Sequence, residues 1–458
     1  MMTAIVPLFR RLRPASRRMF SVMLCFGALL VSGGAAEAIE ITRVISPGGL
    51  EAWLVEDHAN PVIAVEALFE GGQALDPPGK EGLASLVAGL LDEGAADIDS
   101  QTFQSRLRDA AISLEFEAGR DSFSVSLKTL SDNQAEAYNL TRLALTQPRF
   151  DSDAIARIKN AILSQIRAEQ SDPTSVARKV FNETIYPDHP YGRNAQGALE
   201  TVPALSVEDL RGFVRNRFGR DRVLVAAAGD LTPEQLGRVV DELFGGLPEK
   251  AASAEIPEAV VRAEGRVSVV ERPIPQSIVV FGQQGVKRND PEWFPASIFN
   301  YVLGGGGLSS RLMREIREKR GLTYGIYSTL APREHGALVM GSASTVNAKA
   351  GEALALLRQE WRRMADEGVT QEELADAKTY MTGAFPLQLN STTAIARIAL
   401  QVRRDRLGID YLKRRSGLIE AVSLEDVRRV AKRLLDPDRL TVVVVGKPAG
   451  VVSSPQKE

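Results

Sequence analysis

Thiols are nearly absent: the one cysteine among 458 residues is Cys25. It lies in a segment that reads as a removable leader. Arg10, Arg11, Arg13, Arg17 and Arg18 form a basic start, residues 19–31 a short apolar run, and Ala36-Glu37-Ala38 a small-residue cleavage site. The run falls short of the ~20 residues that a membrane-spanning helix needs. Residues 1–38 are therefore expected to be an export signal peptide, with no stable membrane insertion and a periplasmic destination. "SRRMFSV", from Ser16, resembles a twin-arginine export signal. Without a thiol in the remaining chain, disulfides, thiolate metal sites and cysteine nucleophiles are excluded.

Histidine is scarce as well. His58, His189 and His335 are the whole supply, and no two stand four apart on a helix. Zinc sites usually draw on such nitrogen or sulfur donors, so no metal is expected in this chain. There is no excess of positive charge. Five arginines and one glutamate fall in 1–38, leaving 51 basic and 57 acidic residues, a formal charge of −6. A mildly acidic chain is a poor polyanion binder, so no nucleic acid is expected. Neither a G-x-S-x-G elbow nor a phosphate-binding loop occurs, since the glycines at 304–307 run into Leu308-Ser309-Ser310 without a lysine.

What is present is a repeat. "SVEDLRGFVRNRFGRDRVLVAAAGD", from Ser206, matches "SLEDVRRVAKRLLDPDRLTVVVVGK", from Ser423. Ser206 pairs with Ser423 and Asp209 with Asp426, and in an upstream echo Lys159 pairs with Lys378. Two similar halves follow, 39–248 and 266–458, joined by an Ala-, Glu- and Pro-rich linker at 249–265 that reads as exposed and semi-extended. Each half mixes both element types. "NPVIAVEALFEGG" and "QSIVVFGQQG" read as strands, "VLVAAAGD" and "LTVVVVGK" as the apolar strands that close each half, and 153–169 and 371–385 carry helical periodicity. The class is α+β.

The stretch "GGGGLSSRLMREIREKRGLTYGIYS", from Gly304, carries the most local signal. Leu308, Leu312, Met313 and Ile316 form an apolar helical stripe, Ser309 or Ser310 would cap its start, and Gly321 would end it. Alternation along the following strand places Leu322, Tyr324, Ile326 and Ser328 on one face. Arg317 in the last helical turn and Tyr324 at the strand's start are either two groups converging across a corner or two unrelated surface side chains.

This stretch resembles the corresponding segment of the pitrilysin-like, inverted-zincin peptidases, which include the mitochondrial processing peptidase. So do "GGQALDPPGKEGLASLVAGLLDEGA", "HPYGRNAQGALETVPALSVEDLRGF" and "VAAAGDLTPEQL". The resemblance implies two repeated α+β halves, each with helices packed on a mainly antiparallel sheet, closing as a clamshell around a peptide chamber. In that family the first half carries H-x-x-E-H and a further glutamate about 76 residues later, which hold zinc and activate water. Here the motif falls on Ser85, Ala88 and Gly89, and the later ligand position on Gln165. Every metal-site position has changed. The zinc-less half of active members contributes an arginine and a tyrosine seven apart that face the substrate; the matching residues are Arg317 and Tyr324.

The implied role is a non-catalytic subunit, without a cofactor of its own, of an exported heteromeric zinc metallopeptidase. Its partners would be a zinc-bearing H-x-x-E-H chain of the same family and a peptide substrate, with Arg317 and Tyr324 assisting the partner's site. A structural subunit of a larger assembly and a self-standing periplasmic peptide-binding protein are the alternatives.

Overall fold

The computed structural model describes residues 39–252 and 255–455; the expected leader 1–38, Cys25 included, lies outside the described residues. Residues 42–229 supply β1 (Thr42–Ile45), β2 (Glu51–Glu56), β3 (Val62–Glu70), the short hairpin β4 (Gly94–Ala95) and β5 (Ile98–Asp99), β6 (Ser113–Ala118), β7 (Ser122–Leu130) and β8 (Val223–Gly229). Residues 267–446 supply β9 (Val267–Glu271), β10 (Gln276–Gln284), β11 (Thr323–Ala331), β12 (Leu338–Val346) and β13 (Thr441–Gly446). The chain is α+β with two open, mainly antiparallel sheets and no barrel.

The two sheets have one topology. The first runs β1-β2-β8-β3-β7-β6, and the second runs β9-β13-β10-β12-β11, as though β1 had been left off. Each has a single parallel joint at the equivalent place, β2 with β8 and β9 with β13. The repeated residues do the same work in both halves. Ser206 and Asp209 form a capping box on the helix Val207–Arg217, and Ser423 and Asp426 form one on Leu424–Leu434. Lys159 Nζ donates to the Leu205 carbonyl at 2.6 Å, just ahead of the first box. Lys378 Nζ donates to the Glu420 carbonyl at 2.6 Å, ahead of the second.

The sheets are covered on both faces, but not by helices of one half alone. The helices Leu83–Ala88, Gln134–Thr146, Val207–Arg217 and Pro233–Phe244 fill the core on one face of the first sheet. Ala350–Glu367 and Leu424–Leu434 do so on the second. On the opposite faces the halves exchange a helix. Pro173–Ile185, from the first half, packs on β10 and β13. Thr392–Arg404, from the second, packs on β8, β3 and β2. Phe181 and Ile185 join Val280, Val443 and Val445 in one buried cluster. Arg403 Nη1 donates to the carbonyls of Glu51 and Val225 at 2.8 and 2.9 Å.

Each half thus borrows one covering helix from the other. The cause is visible in β13, whose six residues are all buried, and in β3, where seven of nine are. Strands apolar on both faces need a cover on each. The described residues of the linker region 248–265 form no regular element and are mostly exposed, yet the segment is pinned where Val261 and Ala263 are buried and Arg262 N–H meets the Ile185 carbonyl at 2.9 Å.

Candidate functional site

The first candidate region is built on the helix Leu83–Ala88, only six residues long and closed by Gly89. Asp76 organises its start: the buried carboxylate accepts the N–H of Gly82 at 3.1 Å and of Ala84 at 3.2 Å. Burial pushes its pKa up to about 7, against those hydrogen bonds and the nearby Arg217 charge. Neither residue carries a motif that singles it out; only the fold brings Asp76 beneath the helix.

The degenerate motif sits on this helix. Ser85 Oγ accepts from Gln73 Nε2 at 3.0 Å. Ala88 is a buried methyl. Gly89 lies against Ile158 on the helix Ser152–Ser171, where an added Cβ would be 2.9 Å from Ile158 Cγ2. Gln165 is two turns further along that helix, exposed, with its amide on Glu169 Oε1 at 3.0 Å. A hydroxyl, a methyl and a bare backbone offer zinc no imidazole or carboxylate, and the space an imidazole would need at 89 is filled. The four positions do not fit a zinc ion. Among the described residues no group of three or more His, Cys, Asp or Glu side chains stands together as metal ligands.

The second region is the corner from 293 to 331. The helix Trp293–Asn300 widens into a π-helical turn, Tyr301–Gly305, with Gly306 N–H reaching back five residues to the Tyr301 carbonyl. Gly304 is needed because the turn rests on β11: a Cβ there would be 2.6 Å from the Ser328 nitrogen. Gly304 therefore serves the approach of the chain's own strand.

Two local expectations are overturned. Leu308 is 62% exposed, because 307–309 form a separate 3₁₀ turn and the helix starts beyond it. Leu312, Met313 and Ile316 alone make the buried stripe. Ser310 does stand at the helix start, its carbonyl taking the Arg314 N–H at 3.0 Å, but the Ser309 and Ser310 hydroxyls donate back to the Gly306 and Gly307 carbonyls instead of capping the first turn. Gly321 does end the helix, at φ +61°, with Gly321 N–H on the Arg317 carbonyl and Leu322 N–H on that of Ile316.

The basic appearance of this helix largely dissolves into pairs. Arg311, its side chain 3% exposed, makes a two-pronged contact with Glu373 at 2.8 and 2.5 Å. Lys319 and Arg320 both reach the buried Glu315, at 2.7 and 3.2 Å, and hold its pKa below the ordinary carboxylate value. Arg314 is 3.8 Å from the same carboxylate. Among the described residues Arg317 alone of these cations has no carboxylate within ion-pair distance, and its side chain makes no hydrogen bond.

Tyr324 departs from the alternation expected of its strand. β11 pairs Thr323 with Thr345 but Gly325 with Ser344, so Tyr324 is the extra residue of a bulge. Leu322, Ile326 and Ser328 are buried, while Tyr324 is 84% exposed and its hydroxyl has no partner among the described residues. The outer side of β11 is not an open edge. Ile326 N–H meets Met313 Sδ at 3.4 Å, and Asn300 Nδ2 donates to the Ser328 carbonyl at 3.3 Å. The corner is thus a closed scaffold presenting one unpaired guanidinium and one re-aimed phenol.

Residues 204–381 match the family description "peptidase M16 inactive domain". A Helicobacter pylori protein named as a non-peptidase homolog is 24% identical over 391 residues, covering 85% of this chain and 90% of its own. An uncharacterized zinc protease of Streptomyces coelicolor is 32% identical over 286 residues, 60% of this chain and 61% of its own. Among solved structures, a peptidase M16 inactive domain from Pseudomonas fluorescens superposes with a TM-score of 0.84 at 27% identity, covering 92% of this chain and 100% of that one.

Proposed function

We propose, for a chain that belongs to the M16 peptidase family in its inactive form, a supporting role beside a zinc-bearing chain of the same family. In this reading the protein has no peptidase activity alone and completes a peptide chamber in the periplasm after export. Arg317 would orient the substrate backbone or a carboxylate. The Tyr324 hydroxyl would donate to the peptide carbonyl as it becomes an oxyanion at the partner's zinc.

One observation carries the proposal. Along 311–324 every other cation has a carboxylate within ion-pair distance, while among the described residues Arg317 has none, and a bulge turns Tyr324 outward. Both are free for a ligand on a corner whose other cations are paired with carboxylates. The metal positions, by contrast, are packed or hydrogen-bonded within the fold.

The test is reconstitution with an exported H-x-x-E-H chain from the same bacterium, comparing the unaltered protein with Tyr324→Phe. Removing one oxyanion donor is expected to lower kcat by ~10²–10³-fold while assembly, read by size-exclusion chromatography, is unchanged. Full activity with Tyr324→Phe refutes the shared site and leaves a structural subunit. Peptide binding by the isolated chain that survives without any partner supports the self-standing binder instead.

A further inference from the structure

A cavity of about 290 Å³ is walled by side chains from 288–297 and 381–415, with neither Arg317 nor Tyr324 in its lining. Two arginines line it. The Arg288 guanidinium stacks on Trp293 at 4.7 Å and on Tyr411 at 5.2 Å, and donates to the Tyr411 hydroxyl. The Arg415 guanidinium lies 4.2 Å over Phe385 and donates to the Met381 carbonyl at 3.0 Å. Each guanidinium has five N–H donors, so most are unused, and neither has a carboxylate within ion-pair distance among the described residues. Burial lowers the Arg415 pKa; Tyr411 opposes the shift, and the like charge of Arg288 adds to it. Half-buried cations facing one cavity without a counter-ion are costly, which favours an anion there.

The same cavity has the opposite charge on another wall. Asp405 has a side chain only 8% exposed. Its Oδ1 accepts from Arg404 at 2.9 Å, and its Oδ2 is buried with no hydrogen-bond partner. A ligand ammonium would satisfy it. The rest of the lining is mixed: Phe294, Ile398 and Leu407 stand beside the aromatic rings, with Ser297, Gln388 and Gln401 among them. The volume is at the lower limit of the ~300–1,000 Å³ typical of ligand pockets. It suits one residue rather than an extended peptide.

We propose that this cavity binds a single free α-amino acid with a large apolar side chain, as its zwitterion. The carboxylate lies between Arg288 and Arg415, the ammonium meets Asp405 Oδ2, and the side chain enters the aromatic wall. The inference stands apart from the shared-chamber reading, since it needs neither a partner chain nor Tyr324.

The test uses the full chain and defined probes. L-phenylalanine and L-leucine are titrated by calorimetry, with tryptophan fluorescence reporting Trp293 in the wall. Saturable binding is expected. It should weaken at least ~10-fold, about 1.4 kcal/mol, for N-acetyl-L-phenylalanine, for L-phenylalaninamide and for glycine, which lack the ammonium, the carboxylate and the side chain in turn. Arg415→Gln and Asp405→Asn should each weaken L-phenylalanine by a similar factor, in protein whose circular dichroism is unchanged. Analogues that bind as tightly as L-phenylalanine overturn the proposal. So does the absence of saturable binding up to about 10 mM. The analogue series decides the matter on the unaltered chain even where a variant fails to fold.

Discussion

Truncating Phe181 to alanine tests the exchange of helices between the two sheets. Phe181 is fully buried, and it belongs to the helix Pro173–Ile185 that the first half lends to the second sheet. Its Cζ stands where a side chain at 282 would begin: a Cβ on Gly282 would lie 2.8 Å from it. Phe181→Ala is expected to cost ~3–5 kcal/mol, from lost burial and the cavity left behind. Gly282→Ala forces a methyl against Phe181 Cζ, Met340 Cβ at 2.9 Å and the Val339 carbonyl at 3.0 Å. Overpacking of that kind costs ~1–3 kcal/mol. In the double variant the phenyl ring is gone, so the methyl enters vacated space and the combined cost falls short of the sum by ~1 kcal/mol. Recovery is partial because Met340 and Val339 remain. Urea unfolding followed by far-ultraviolet circular dichroism and tryptophan fluorescence measures all four proteins. A Phe181→Ala cost below ~1 kcal/mol, or costs that add within ~0.5 kcal/mol, refutes the packing argument.

Other perturbations have equally definite outcomes. Asp76, ordinarily near 3.8, is raised to about 7 in the fold, so between those values the native chain binds one proton more than the unfolded chain. Stability should therefore fall as pH rises from about 4 to about 7, by a few kcal/mol. Asp76→Asn should flatten that slope in denaturant midpoints taken across the window; an unchanged slope sinks the assignment. Arg311→Ala breaks the buried pair with Glu373 and should cost ~3 kcal/mol or more by chemical denaturation, against near-neutrality if the pair were solvated. Gly321→Ala meets no atom within 4 Å, so its expected loss of ~1 kcal/mol in thermal unfolding is purely that of φ +61°; no loss would contradict the left-handed turn.

Much of the fold was readable because it is locally encoded. The two Ser-x-x-Asp sequences became two capping boxes, and the lysines that the repeat aligned, Lys159 and Lys378, hold backbone carbonyls at equivalent places. Gly321 was recognisable as a helix end because few other residues take a positive φ at low cost. The site was less legible. Nothing near Asp76 or Glu315 distinguishes them from other acids, since a carboxylate's neighbours come from distant positions such as Arg217 or from a helix geometry not yet known. A period of two puts Tyr324 on one face with Leu322, Ile326 and Ser328, but the bulge at Tyr324 breaks that period.

By itself the sequence determined the repeat, the alternation of strands and helices, the helix end at Gly321 and, through the family resemblance, the loss of zinc-binding donors at Ser85, Ala88 and Gly89. These depend on side-chain type and on spacing along the chain. Tertiary structure alone decided which half covers which sheet face, which cations are paired and where Tyr324 points. Those depend on contacts between residues far apart in sequence, such as Phe181 over Gly282 and Arg311 on Glu373. The family resemblance points to Arg317 and Tyr324 in the sequence, but that the cations around Arg317 are paired with carboxylates and that Tyr324 sits on a bulge are properties of the folded chain.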